Sequence, residues 1–265
     1  MPKGKPLPLK KRKAAPHSRD RDTTVDTMRL NRFIASGGVS SRRKADELIS
    51  QGKVTVNGKT VTELGVQVHP YQDHITVNGA TISLKERFLY LLLNKPKDVI
   101  TTVKDEKDRK TVMSLIKAQE RVYPVGRLDR QTTGVLLFTN DGDLTARLTH
   151  PKYQIPRVYH AVLDKPLKRD DAEKIAKGGV NIGRGDITSA VELDLSTRDP
   201  KDVIITLREG KYHEVRRLFE VHGYEVQKLD RLMFAGITHQ GMRRGETRPL
   251  IQKEVRALKR AVGLE

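Results

Sequence analysis

The chain has 265 residues, with 51 Lys and Arg against 33 Asp and Glu, a formal net charge of +18 and no cysteine. Disulfides, thiolate nucleophiles and cysteine-ligated zinc are therefore excluded, and the charge points to a polyanionic partner without saying anything about fold. Hydrophobic residues make up 36%, and no apolar run approaches the roughly 20 residues that span a bilayer, so nucleic acid ranks above membrane.

Residues 1–27 read as a basic, disordered tail. Pro2, Pro6, Pro8 and Pro16 break helices, and Lys10, Lys11, Arg12 and Lys13 cluster where few apolar residues are available for a core. The tail fits an arm for phosphate contacts and a solubilising extension equally well. It lacks the apolar stretch of a secretory signal, and a cytoplasmic location is expected.

Residues 28–84 read as a small unit of two helices followed by short strands. Leu30, Phe33 and Ile34 are spaced as on one buried helix face, and Gly37-Gly38 stops that helix. Ser40 or Ser41 caps a second helix, on which Ala45, Leu48 and Ile49 repeat the spacing before Gly52. Val54 and Val56 precede Asn57-Gly58, and Ile75 and Val77 precede Asn78-Gly79; Asn-Gly between alternating apolar residues is a strong hairpin signal.

Ser83 to Arg87 is polar enough to be a linker, and residues 88–265 read as a larger mixed domain. Phe88–Leu93 and Val135–Phe138 are apolar runs of buried-strand length, and Val203–Leu207 alternates. His213–His222 reads as a helix with Val215, Leu218, Phe219 and His222 on one face, ended by Gly223. Lys253–Arg260 reads as a closing amphipathic helix. Strands mixed with helices, without a regular βαβ rhythm, predict an α+β domain on a mixed sheet.

Two clusters stand out chemically. Arg42, Arg43 and Lys44 lie beside a helix cap, away from the apolar face, where basic side chains and free helix N–H groups both favour phosphate; a solvated basic face explains them as well. Gly126-Arg127-Leu128-Asp129 places a carboxylate on a loop opening an apolar strand. Taken alone, Arg127 and Asp129 fit a surface ion pair, worth roughly 0–1 kcal/mol. The eight histidines show no metal-ligand spacing, and no phosphate-binding glycine loop or nucleophile elbow is present.

The run from Arg29 through Ser41-Arg42-Arg43-Lys44-Ala45 to Gly52-Lys53-Val54-Thr55-Val56-Asn57-Gly58 resembles the alpha-L RNA-binding domain first known from a small-subunit ribosomal protein. The series Asn94-Lys95-Pro96, Gly126-Arg127-Leu128-Asp129, Thr133-Gly134, Arg157-Val158-Tyr159 and Glu209-Gly210-Lys211-Tyr212-His213-Glu214-Val215-Arg216 resembles the ribosomal RNA pseudouridine synthases that carry such a domain at the N-terminus. The resemblance implies an antiparallel-sheet catalytic domain with a central cleft. It makes Asp129 the catalytic aspartate, Tyr159 the ring that packs on uracil and Arg216 the basic residue of the late helix that pairs with the aspartate. Arg127 then helps hold the flipped nucleotide, and Val215 packs near the base. No metal or cofactor is implied, because breaking the N1–ribose bond and rejoining carbon 5 involves no redox change.

The chain departs from the family pattern in three places: Asp98 where a glycine is usual, Arg157 where lysine is common and Glu214 where glutamine is common. The expectation is therefore a monomeric enzyme acting on ribosomal RNA or a pre-ribosomal particle, with large-subunit RNA favoured. The alternatives are small-subunit RNA as the substrate, or a non-catalytic ribosome-associated RNA-binding factor.

Overall fold

The structure, a computed structural model, describes residues 27–84, 87–103, 105–118 and 120–265. The predicted tail lies, apart from residue 27, outside the described residues, as do residues 85 and 86 of the predicted linker. The chain divides after Leu84 into two compact units.

The smaller unit contains β1 (Met28–Arg29), α1 (Leu30–Ser36), α2 (Arg42–Ser50), β2 (Val54–Val56), β3 (Lys59–Val61), β4 (Gln67–Val68), β5 (Ile75–Val77) and β6 (Ala80–Ile82). Leu30, Phe33, Ile34, Ala45 and Ile49 form its core with Val54, Val68, Ile75 and Val77, so the helical spacing seen in the sequence is the spacing that packs. Ser41 caps α2 by accepting from the Lys44 N–H at 3.2 Å. Both Asn-Gly pairs turn hairpins, β2–β3 and β5–β6. Asn57 and Gly58 have φ of 52° and 79°, and Asn78 and Gly79 of 51° and 80°, the left-handed pair that a two-residue turn requires.

The larger unit contains β7 (Tyr90–Lys95), β8 (Tyr123–Pro124), β9 (Thr133–Thr139), α3 (Gly142–Thr149), β10 (Arg157–Leu163), α4 (Arg169–Lys177), β11 (Glu192–Leu195), β12 (Asp202–Leu207), α5 (Glu214–Val221), β13 (Val226–Phe234), β14 (Ile237–Thr238), β15 (Thr247–Pro249) and α6 (Gln252–Ala261). Its main sheet runs β11-β12-β10-β13-β9-β7-β15. Neighbours are antiparallel except β13 and β9, which are parallel at Asp230–Thr133 and Arg231–Gly134. The class is α+β on a mixed, mostly antiparallel sheet.

The apolar runs of β7 and β9 are continuous because both sheet faces are covered. Leu93, Leu136 and Phe138 point to a core shared with Ala172 and Ile175 of α4 and Leu218 and Phe219 of α5. Leu92, Val135 and Leu137 point the other way, to Leu144 and Leu148 of α3 and Leu258 of α6. The strand predicted from Phe88 begins two residues later, at Tyr90: Phe88 is 48% exposed and precedes the first residue paired with β9. Apolar character alone did not mark where pairing starts.

Candidate active site

Asp129 stands on the loop between β8 and β9, and the residues after β7 hold that loop from below. Lys95 is fully buried at the end of β7. Its Nζ donates to the carbonyls of Thr132 at 2.9 Å, Asp129 at 3.1 Å, Pro96 at 3.1 Å and Arg130 at 3.4 Å. Burial pulls its pKa down to about 8, against the pull of Asp129 and Asp98 in the opposite direction. Thr101 adds a reciprocal clasp: its hydroxyl donates to the Leu128 carbonyl at 2.7 Å and accepts from the Leu128 N–H at 3.3 Å. The Asp98 N–H donates to the Arg130 carbonyl at 2.9 Å, and its carboxylate pairs with Arg130 at 3.2 Å. Asp98 has φ 63°. It therefore takes the left-handed conformation that a glycine would supply, which aspartate tolerates better than most residues.

A cleft opens over this loop. It is lined by Arg127 and Asp129 from the loop, Arg157 and Tyr159 from β10, Arg231 and Phe234 from β13, and His213, Val215 and Arg216 around the start of α5. Tyr159 and Val215 are nearly buried in its wall, while Arg127 is exposed. All five cleft residues singled out in the large domain thus converge. Arg42, Arg43 and Lys44 lie in the other unit, where they form an exposed basic cluster at the start of α2 with Lys44 paired to Glu47 at 2.6 Å.

One expected pairing does not form. The side chain beside Asp129 is His213, with Nε2 3.1 Å from Oδ1. Arg216 instead donates from Nη1 to the Val226 carbonyl at 2.7 Å, tying α5 to β13. The reason is local geometry. His213 caps α5 in a left-handed conformation with φ 48°, which swings its ring over the Asp129 loop, while Arg216 is satisfied one turn further along the helix. Arg216 still lines the cleft and adds its charge there.

The floor carries two buried guanidiniums. Arg231 donates from Nε to the Val135 carbonyl at 2.7 Å and lies 4.8 Å from the Phe234 ring centre. Arg157 donates to the Ile155 carbonyl at 3.1 Å and lies 5.4 Å from the same ring. Burial lowers the Arg157 pKa, but not toward neutrality for a guanidinium. Glu214, also buried, accepts from the Lys211 N–H at 2.9 Å, and burial pushes its pKa up. Sequence reading missed the roles of Lys95, His213 and Arg231. Lys95 follows Asn94 after the apolar run Leu91–Leu93, and neither it nor Arg231 carried a local sign of its burial.

A carboxylate on a braced loop, sharing a cleft with an aromatic ring and several cationic side chains, suits nucleophilic or general-base attack on a flipped nucleoside. Among the described residues no group of acidic and histidine side chains is arranged to hold a metal ion, and no helix is long and apolar enough to cross a membrane.

Comparison with known proteins agrees with this picture. Residues 89–221 match the family model of RNA pseudouridylate synthases, and residues 28–70 match that of the S4 domain. The chain is 42% identical to ribosomal large subunit pseudouridine synthase B of Bacillus subtilis (strain 168), over 87% of this chain and 95% of the relative. It is 33% identical to the dual-specificity RNA pseudouridine synthase RluF of Escherichia coli (strain K12), over 86% of this chain and 77% of the relative. A crystal structure of a pseudouridylate synthase superposes with a TM-score of 0.64 at 30% identity, covering 87% of this chain and 99% of that one.

Proposed function

Because the chain belongs to the RNA pseudouridylate synthase family and carries an S4 domain ahead of the catalytic one, we propose that it isomerises a uridine of large-subunit ribosomal RNA with Asp129 as the catalytic carboxylate. The observation that carries this reading is the convergence of Asp129, Tyr159, Val215, Arg127 and Arg216 on one cleft. The substrate rests on the relative acting on the ribosomal large subunit and on the +18 charge.

In this reading residues 28–84 dock structured RNA, with Arg42, Arg43 and Lys44 on phosphates, and residues 88–265 perform the chemistry on free RNA or an assembling particle. The enzyme acts as a monomer in the cytoplasm. The uridine is inaccessible inside a stack and must be extruded. Arg127, exposed at the cleft mouth, helps hold it out. Tyr159 supplies a face on which uracil stacks, worth roughly 1–3 kcal/mol, and Val215 closes the apolar side.

Asp129 either bonds to the anomeric carbon as N1 leaves and is itself displaced when carbon 5 bonds there, or takes a proton from the ribose as N1 leaves and returns it when carbon 5 bonds; between the two steps the detached uracil turns. The carbon 5 proton leaves and N1 gains one, so no atom is gained or lost and no cofactor is required. The cations lining the cleft, Arg216 among them, stabilise the negative charge that uracil carries while detached.

Pseudouridine mapping of ribosomal RNA from cells with and without the gene tests the reading. One or more large-subunit pseudouridines should disappear on deletion and return with the wild-type gene. Loss confined to small-subunit RNA would overturn the substrate assignment.

A further inference from the structure

His213 is held in place more firmly than a surface helix cap needs. Its backbone is left-handed, with φ 48° and ψ 33°, a region uncommon for side-chain-bearing residues, although histidine enters it more readily than most. Its ring stacks on Tyr212 with centres 3.9 Å apart and planes 13° apart. The Arg184 guanidinium carbon lies 4.4 Å from the Tyr212 ring centre. A parallel imidazole at 3.9 Å covers one face of the phenol, so the guanidinium takes the other. The loop that carries Arg184 is itself pinned. Arg217 donates from Nε to the Ile182 carbonyl at 2.8 Å and from Nη2 to the Gly183 carbonyl. Its Nη1 reaches the Asp186 carboxylate and the Tyr212 carbonyl, each at 2.8 Å. The result is a column, Arg184–Tyr212–His213, that ends on Oδ1 of Asp129 at 3.1 Å.

Stability does not explain this column. Tyr212 is 48% exposed, and the His213–Asp129 contact is about one-third exposed on both sides. Exposed ion pairs contribute little, and the left-handed backbone works against folding. A residue in an uncommon backbone conformation, stacked on one side and in contact with the carboxylate on the other, is what precise aiming of a neighbouring group requires.

We propose that His213 is a positioning residue for the reaction: its Nε2 fixes one oxygen of the Asp129 carboxylate so that the other faces the ribose, and Tyr212 and Arg184 hold the imidazole to that task. The proposal rests on the reading of Asp129 as the reactive carboxylate. It does not require His213 to touch RNA. Substrate affinity and chemical rate should therefore separate, and Tyr212 should act only through His213.

The test is single-turnover conversion of a ribosomal RNA fragment by the full chain, with RNA affinity measured in parallel. His213→Ala should slow conversion on the order of ten- to a hundredfold, as misplacement of a reacting group does, with affinity little changed. His213→Gln, which keeps an N–H near the carboxylate, should recover most of that loss. Tyr212→Leu should slow the wild type but add nothing in the His213→Ala background. A wild-type rate in His213→Ala would overturn the proposal, as would a Tyr212→Leu loss of equal size in both backgrounds. If His213→Ala does not fold, a wild-type rate for Tyr212→Leu is enough to reject it. Asp129→Asn is the control that separates the two readings. If it is inactive while His213→Ala is normal, only the positioning role fails; if it is fully active, the reading of the active site fails.

Discussion

Lys95→Met removes an ammonium group while keeping most of the side-chain volume. The Nζ has three N–H groups for four carbonyls, and three of those carbonyls belong to the loop bearing Asp129. Each buried carbonyl left unpaired costs roughly 1–3 kcal/mol. Against that, the substitution removes a charge that burial disfavours: the fall in pKa from 10.5 to about 8 corresponds to roughly 3 kcal/mol. The net loss should be about 2–4 kcal/mol, which for a domain of this size lowers the melting temperature by roughly 5–15 °C. Turnover should fall more than RNA affinity, because the loop carries the reacting group. The same ionisation sets a pH dependence. The folded pKa lies below the unfolded one, so the folded protein releases its proton first, and this group's contribution to stability rises as pH climbs from about 8 to 10.5. Turnover should move the other way, falling above about pH 8 as the clasp loses its charge, and Lys95→Met should lack that alkaline limb. Calorimetry and single-turnover rates across pH are the assays. An unshifted melting temperature with an intact alkaline limb would refute the clasp.

Gly134→Ala places a methyl group against the Arg231 backbone carbonyl, at a position with φ +104°. It should break the parallel pairing of β9 with β13 and cost about 2–4 kcal/mol, read by thermal or denaturant unfolding. Replacing Arg42, Arg43 and Lys44 together by Gln should weaken RNA binding across sequences and flatten the log–log salt dependence by roughly 2. The expected change is less than three because Lys44 is already engaged by Glu47; an unchanged slope would remove the docking role. Tyr159→Ala should reduce the single-turnover rate more than RNA affinity, and the reverse pattern would make the ring a docking contact.

The small unit was legible in detail because its determinants are local. Helix-spaced apolar residues, a serine cap and two Asn-Gly turns each act within a few residues, and all appear where the sequence places them. The strands β7 and β9 were legible as apolar runs, but their ends were not, since pairing and not hydropathy decides that Tyr90 opens β7. Asp129 was visible only through resemblance; as a tetrapeptide it looked like a surface pair. Long-range contacts were the least legible. Lys95 meets the Asp129 loop across more than 30 positions, and His213 meets Asp129 across more than 80. Neither spacing leaves a local trace, and the left-handed turn that brings His213, rather than Arg216, to the carboxylate is a backbone detail that residue types do not announce.

In the proposed mechanism the Asp129 carboxylate performs the chemistry in the cleft that it lines together with Tyr159. Single-turnover conversion of a ribosomal RNA fragment by Asp129→Asn, with RNA affinity measured on the same preparation, tests it most directly. The prediction is undetectable pseudouridine at near wild-type affinity; conversion at the wild-type rate would contradict it.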